Sequence, residues 1–477
     1  MMKVTTYQGP VAVYGLGVSG MACVDALVAG GCQPIAWDDD MARRQEAQKR
    51  GAQIDPLETF PEGVQALVLS PGIALTHPKP HDVVLRARQA GIEIIGDMDL
   101  FAREMATYRK LDHDFTVVAI TGTNGKSTTT ALTAHILSEA GYDVQMGGNI
   151  GQPVMALAPP NSTTRAKTIY VLELSSYQID LAAYFAADIA VLLNITPDHL
   201  DRHGGWEGYC AAKEKLFIAQ SNGAHISNQQ AIINLDDEAC AAIAGRIMAQ
   251  DKSHAIALQG FSAVSKAEAR FTAQDKNLFD GAQKIASLEM AESLKGAHNI
   301  QNALAASGVA RLLDVACEKI AEALQSFSGL AHRSQKIRAF QGVHFINDSK
   351  ATNADATRHA LRAYEKIFWI AGGLAKDTGL DALMADLDNV QKAYLIGAAS
   401  QAFAQDLESR LPCAISETLD KAVPHAASDA MAAGGGVVLF SPAAASFDQY
   451  DNFEQRGDAF CALVEDCLVK MQREAAS

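Results

Sequence analysis

The sequence predicts an α/β protein of three domains, each built on a largely parallel sheet. Three observations carry this. Short apolar runs alternate with longer amphipathic stretches along the whole chain, the pattern of strand–helix crossovers. Two of those runs pass straight into glycine-rich turns that open helices. A chain of 477 residues also exceeds what a single hydrophobic core holds, so it must divide.

Taken in order, the first domain spans 1–108, with strands at 11–14, 34–37 and 66–69 and helices at 20–29, 41–50 and 81–90. The polar run "TYRKLDHD", 107–114, closes it as a linker. The second domain, 109–328, opens on a strand at 115–120 and a long helix at 126–140. Further strands fit 168–172, 188–194 and 232–234, and the polar stretch 158–167 reads as a mobile loop. A helix of small residues, 299–313, ends this domain, and "SFSGLAHR", 326–333, reads as a second linker. The third domain, 329–477, has strands near 343–346, 367–371, 393–396 and 436–440. No internal repeat of fixed period is visible.

Composition excludes several classes. A hydrophobic fraction of 48%, evenly spread, is that of a globular protein. No window approaches the ~18–20 apolar residues of a membrane span, so no membrane insertion is expected. The start, "MMKVTTYQGP", has no apolar secretory core. Eight cysteines without a C-x-x-C pair suit a reduced cytoplasmic protein with neither disulfide frame nor zinc site. A net charge of -15 argues against nucleic acid as a partner and leaves room only for local cationic pockets.

Two phosphate-binding turns stand out. "VAVYGLGVSG" sets G-x-G-x-x-G at Gly15, Gly17 and Gly20 after an apolar run, and "IAWDDD" puts Asp38 after the next. Glycine turn, helix start and acid together are the fingerprint of a Rossmann-like dinucleotide site, which raises NAD as a ligand. "VVAITGTNGKSTTT" is the stronger signal. Gly122, Thr123, Asn124 and Gly125 let backbone N–H groups converge on phosphate, Lys126 supplies charge, and Ser127 and Thr128 supply hydroxyls. The strict P-loop needs glycine at 120, where this chain has Ile120, so the loop is a variant within an ATPase-like domain.

Other candidates lie downstream. Glu173 ends an apolar run, followed by Ser175 and Ser176; an acid at a strand end beside a P-loop suits Mg2+. Asn194, Pro197, Asp198, His199, Asp201 and His203 crowd the end of the next strand. In "GYCAAKEKLF" the composition reads as an amphipathic helix with Tyr209, Leu216 and Phe217 inward and Lys213 and Lys215 solvated. Asn299 alone reads as a helix cap, and Lys376 as a surface-loop lysine.

The runs TGTNGKST, LELSSYQ, NITPDHLDRH and YCAAKEKLF, in this order and spacing, resemble the Mur ligase family, ATP-dependent ligases of bacterial cell-wall precursor synthesis. "FINDSKATNADAT", 345–357, and "LFSPAAASFDQYDNFEQRGDAF", 439–460, look like the branch of that family that adds D-glutamate. The resemblance covers essentially the whole chain. It implies a Rossmann-like N-terminal domain for UDP, a central ATP domain and a C-terminal Rossmann-like domain for the amino acid. It also implies phosphorylation of the carboxylate of UDP-N-acetylmuramoyl-L-alanine by ATP, then attack by the amine of D-glutamate.

Residue roles follow by the same resemblance. Gly122 to Thr128 would serve the ATP phosphates, and Ser127, Glu173, His199 and Lys213 the Mg2+. Lys126, His199 and Lys213 would be catalytic, Lys213 matching a lysine that CO2 carbamylates. Asn299, Asn302, Arg333 and Asp348 match ATP contacts. Leu16, Gly17 and Val18 would hold the UDP diphosphate, with Ser70, Pro71 and Gly72 nearby and Asp38 and Asp39 toward the uridine. Asn149 and Ser175 belong to the substrate-binding set, and Lys350, Thr352, Lys376, Ser446 and Phe453 match a D-glutamate pocket. The implied setting is a monomer in the bacterial cytoplasm. Ser334-Gln335 departs from the apolar-then-Glu pair that usually follows His-Arg in the family.

Three alternatives compete. A sister ligase for another amino acid conflicts with Ser349-Lys350-Ala351-Thr352-Asn353. An NAD-dependent oxidoreductase leaves the second glycine turn unexplained. An ATP sensor without chemistry leaves the lysines and hydroxyls of the third domain unexplained.

Overall fold

A computed structural model describes residues 1–160, 166–217, 229–249, 256–294, 296–375 and 379–476. The chain divides into two compact units, Met1–Phe327 and Ser328–Ser477. Apolar strands buried on both faces force helices onto both faces of each sheet, and the described strands form three such sheets.

In the first unit a five-stranded parallel sheet has the order Gln53–Ile54, Pro34–Trp37, Val11–Tyr14, Ala66–Leu69, Glu93–Ile95. Its strand order reverses beside Val11–Tyr14, whose end meets the Gly15 turn. A nine-stranded sheet follows, with Phe115–Thr121 between Thr168–Glu173 and Ile189–Leu192. All seven residues of Phe115–Thr121 are buried. The order again reverses at this strand, so both glycine turns sit at the crevices where α/β sheets bind ligands. The far edge is antiparallel: Phe271–Gln274, Asn277–Asp280 and Gln283–Ser287. In the second unit the order is Gln335–Phe340, Val343–Asn347, Gly436–Phe440, Ile367–Gly372, Val390–Ile396, Cys413–Glu417, and only the first pair is antiparallel.

Several expectations need correction. The polar run at 107–114 is not simply a linker: its first residues finish the helix Asp97–Lys110. That helix buries three carboxylates. Asp99 accepts the N–H groups of Ala183, Tyr184 and Phe185 at 3.0, 2.7 and 3.1 Å. Glu104 accepts those of Thr5 and Thr6, and Asp97 accepts from Gln178 Nε2 at 3.3 Å. Burial pushes Asp99 up to about 6. The small-residue helix is Ala297–Leu312, and a further helix, Cys317–Ser326, follows it into the same core. The strand expected at 188–194 stops at Leu192, and the helix expected at 20–29 starts at Val18. Residues 161–165 of the polar loop lie outside the described residues.

One buried histidine ties two short helices together. His203, at the end of Leu200–His203, places Nε2 2.9 Å from Ser176 Oγ on Ser176–Leu181. Tyr177 and Tyr209 flank its ring at 5.6 and 5.5 Å. Burial pushes its pKa down from 6.5 to about 4. Between those values the unfolded chain binds a proton that the folded chain refuses, so stability falls as pH falls through that window. His203→Gln should remove this slope, at most about 1.4 kcal/mol per pH unit. Urea midpoints from pH 7 to 4.5 should show the gap between the two proteins narrowing with acidity; a gap that stays constant would count against it.

Candidate functional site

Both glycine turns line one cleft of about 510 Å3. Gly15, Gly17, Val18, Ser70, Pro71 and Gly72 come from the first sheet; Gly122, Lys126, Asn149, Ser175, His199 and Lys213 come from the second. Motifs more than a hundred residues apart therefore share one cavity.

The first turn is held from within. Gly15 has a φ of +90°, and a Cβ there would fall 2.7 Å from that of Ser70. Ser70 Oγ donates to the Gly15 carbonyl at 2.7 Å. Asp38 is buried; its Oδ2 accepts the Leu16 N–H at 2.6 Å and its Oδ1 accepts that of Asp40 at 2.9 Å. The acid that reads from sequence as a ribose or uridine contact thus braces the turn. The Leu16 amide is engaged there, which leaves the start of the helix Val18–Ala29 as the part of the turn open to an anion. Asp39 is exposed.

The P-loop links Phe115–Thr121 to the helix Lys126–Glu139. Asn194 clamps it like a strand partner: Oδ1 accepts the Asn124 N–H at 2.8 Å and Nδ2 donates to the Asn124 carbonyl at 3.0 Å. Thr123 Oγ1 lies 3.0 Å from Tyr209 Oη. Lys126 Nζ donates to the carbonyls of Gly122 and Thr123 at 3.0 and 2.7 Å. Ser127 is buried and Thr128 half-buried in the first helical turn. Asn302, also buried, accepts from Thr129 Oγ1 at 3.1 Å and donates to Asn299 Oδ1 at 3.1 Å. Its carboxamide is therefore a prop behind the loop.

Glu173 ends the neighbouring strand, in register with Ile120. It is 2% exposed. Oε1 accepts from Asn149 Nδ2 at 2.9 Å, while Oε2 is buried with no hydrogen-bond partner among the described residues. A stranded carboxylate oxygen is costly unless a cation meets it, so this site fits a metal ion. Mg2+ needs only one or two carboxylates from the protein, with phosphate and water completing its shell. His199 takes a left-handed φ of +51°, rare for a non-glycine and frequent at functional sites. Its ring lies 4.9 Å from that of Tyr177.

Lys213 overturns the composition reading. It is 1% exposed, not solvated. Nζ donates to the Gly122 carbonyl at 2.8 Å and lies 4.8 Å from the Tyr209 ring centroid. Burial, then the nearby Lys126 cation, pushes its pKa down to about 7. Lys215 stays nearer the surface, paired with Asp180 at 2.7 Å.

In the second unit Asp348 is buried; Oδ1 accepts the Ser334 N–H at 3.0 Å and Oδ2 accepts from Ser441 Oγ at 2.7 Å. Burial pushes it up to about 6. It thereby shapes the loop that carries Arg333. The departure at Ser334-Gln335 is accommodated locally, since Gln335 Oε1 accepts the His332 N–H at 2.9 Å. Lys350 Nζ lies 5.2 Å from the Phe453 ring centroid, Ser446 is buried and Thr352 half-buried. Lys376 lies outside the described residues.

Sequence reasoning missed Arg456, inside the quoted "NFEQRG". It is 1% exposed and donates to Ser349 Oγ and O at 3.1 and 2.9 Å, and to the carbonyls of Ala444 and Ala445 at 3.1 Å. Burial pushes it down to about 10. It binds the Ser349–Asn353 run to the run containing Ser446. A lone arginine at a helix start gives no sequence signal of that role. Asn194 was visible only as one polar residue in a cluster.

Residues 120–310 match the Mur ligase middle domain, and 332–444 the Mur ligase glutamate ligase domain. The chain is 48% identical to the UDP-N-acetylmuramoylalanine–D-glutamate ligase of Nitrobacter winogradskyi, covering 98% of each. It is 45% identical to the protein of that name from Phenylobacterium zucineum over 100% of both. Among solved structures, the UDP-N-acetylmuramate–alanine ligase of Thermotoga maritima is similar with a TM-score of 0.57 at 18% identity, covering 96% of this chain and 99% of that one. The UDP-N-acetylmuramoylalanyl-D-glutamyl-2,6-diaminopimelate–D-alanyl-D-alanyl ligase of Acinetobacter baumannii gives 0.57 at 17%, covering 91% and 90%. These last two speak for the fold, and the full-length relatives for more: the chain belongs to the Mur ligase family.

Proposed function

We propose that this chain joins D-glutamate to UDP-N-acetylmuramoyl-L-alanine at the expense of ATP, in peptidoglycan precursor synthesis in the bacterial cytoplasm, as a monomer. The observation that carries the reading is the single cleft lined by a diphosphate turn and a P-loop. The relatives named for this reaction support the choice of substrates. No described helix is long and apolar enough to cross a membrane. Residues 1–108 would anchor the UDP handle, 109–328 the ATP, and 329–477 the amino acid.

A carboxylate is a poor electrophile at neutral pH. Its oxygen attacks the γ-phosphorus of ATP, ADP leaves, and the acyl phosphate then carries a good leaving group. The amine of D-glutamate attacks the acyl carbon and loses a proton, and phosphate departs as the amide forms. The protein's task is charge neutralisation and positioning. Lys126 meets the phosphates, with Gly122 to Gly125 cradling them and Thr128 beside them. Ser127, Glu173, His199 and the modified Lys213 would hold Mg2+, which neutralises phosphate charge. By the family resemblance Asn299, Arg333 and Asp348 would serve the ATP, while Asn302 would serve it by holding the loop. Val18 and Gly17, with Ser70, Pro71 and Gly72, would cup the diphosphate on a turn that Asp38 braces through Leu16, and Asp39 would lie toward the uridine end. Asn149 and Ser175 line the path of the sugar peptide. Lys350, Lys376, Thr352, Ser446 and Phe453 receive the glutamate dianion and its backbone.

The Lys213 carbamate is part of this reading. Its pKa, pushed down to about 7 by burial, favours the neutral amine, the form that adds CO2 and releases a proton to give an N-linked carboxylate. That anion removes the repulsion from Lys126 and supplies oxygen to a hard cation.

Phosphate release should require both UDP-N-acetylmuramoyl-L-alanine and D-glutamate; omitting either, or equal turnover with L-glutamate, tests the reading directly, and turnover without them rejects it. Lys126→Ala should lower kcat by at least about 10²–10³-fold; a wild-type rate would remove the P-loop from the mechanism. Lys213→Ala should be about 10²-fold or more impaired and partly recovered by acetate or formate. An unimpaired variant would exclude an essential carbamate.

A further inference from the structure

The segment carrying His199 ends in Leu200–His203, and Arg202 on it is only 6% exposed. Its Nη2 donates to the Ile73 carbonyl at 2.8 Å. Nη1 lies 3.8 Å from Asp180 Oδ2, a carboxylate already paired with Lys215, and the guanidinium sits 5.1 Å from the Tyr177 ring centroid. Nε and Nη1 are buried with no hydrogen-bond partner among the described residues. Burying a guanidinium with stranded donors is costly, so something holds it there.

The one hydrogen bond that its guanidinium makes among the described residues crosses the cleft's framework. The Ile73 N–H donates to the Ser70 carbonyl at 2.9 Å, and Ser70 Oγ to the Gly15 carbonyl at 2.7 Å. Three hydrogen bonds thus run from the helix after His199 to the diphosphate turn. The same segments also meet at the rim, where the exposed ring of His77 lies over Gly204. The buried Arg202 guanidinium, not this exposed contact, is what spans the two walls.

We propose that Arg202 is a positioning residue that fixes the span between the turn holding the carrier's diphosphate and the end of the cleft where the carboxylate reacts. Binding energy from a remote handle raises kcat only if the frame between handle and reacting atom is stiff. Arg202 supplies that stiffness. This rests on the function proposed above.

The test compares wild type, Arg202→Met and Arg202→Lys. Titration calorimetry measures UDP alone and a non-hydrolysable ATP analogue; steady-state assays use UDP-N-acetylmuramoyl-L-alanine and D-glutamate. Expected for Arg202→Met are UDP and nucleotide affinities within about twofold of wild type, with kcat lower by about ten- to a hundredfold. Arg202→Lys, which keeps the cation and a donor, should recover most of that rate. A fall in UDP affinity equal to the fall in kcat would make Arg202 part of the handle site and overturn the proposal. So would a kcat within about twofold of wild type. If the methionine variant does not fold, Arg202→Gln is judged by the same criteria. A wild type that does not turn over this pair removes the functional reading first, and the proposal with it.

Discussion

Three buried carboxylates on the helix Asp97–Lys110 hold the first unit together. Asp97, Asp99 and Glu104 are each under 4% exposed, and the hydrogen bonds they accept come from N–H groups and a hydroxyl rather than from a cation's side chain. Buried anions of this kind are tolerable only when their lone pairs are met by donors in fixed directions. Asp99 meets the chain just after Ser176–Leu181, Glu104 meets the N-terminal segment, and Asp97 meets Gln178. Through Asp97 and Asp99 this helix, which follows the first sheet, is tied to the segment after Thr168–Glu173 of the second. Both phosphate turns and Lys213 line the cleft between the two sheets.

Within that frame, charge is arranged by burial more than by pairing. Lys213 and Arg456 are buried cations whose pKa values fall, and Asp99 and Asp348 buried acids whose values rise. In each the desolvation of the charged form is the largest cause. Two of these groups build loops: Asp348 the one with Arg333, Arg456 the one with Ser446. Lys213 differs in touching the P-loop itself, where a change in its charge alters the field at the phosphates.

The residues legible in the sequence are those whose chemistry is local. Lys126, Ser127 and the glycines follow from a strand, a turn and a helix start in one short run. Most strand positions were legible too, because strands buried on both faces are continuous apolar runs, as in Phe115–Thr121. What escaped depends on distant partners. Lys213 reads as solvated because its helix is amphipathic, and only the approach of Gly122 from another strand end buries it. Asp97, Asp99 and Glu104 carry no sequence signal of their role, because their donors lie far along the chain. Asp38 reads as a ligand contact, yet one oxygen meets the Leu16 N–H of the glycine turn and the other the N–H of Asp40. The antiparallel edge at 271–287 escaped because its short strands are polar and exposed on one side.

Gly125 has a φ of +82°, and a Cβ there would fall 2.4 Å from Asn302 Oδ1. The P-loop is therefore walled in from behind by a helix contributed nearly two hundred residues later. Neither position can drift alone: a side chain at 125 collides and strains the backbone, and a bulkier residue at 302 displaces the loop. The two are locked to each other as tightly as neighbours in sequence, although no local pattern joins them. The nucleotide loop and that helix are thus one packing unit, in which what position 125 can hold is set by the side chain at 302.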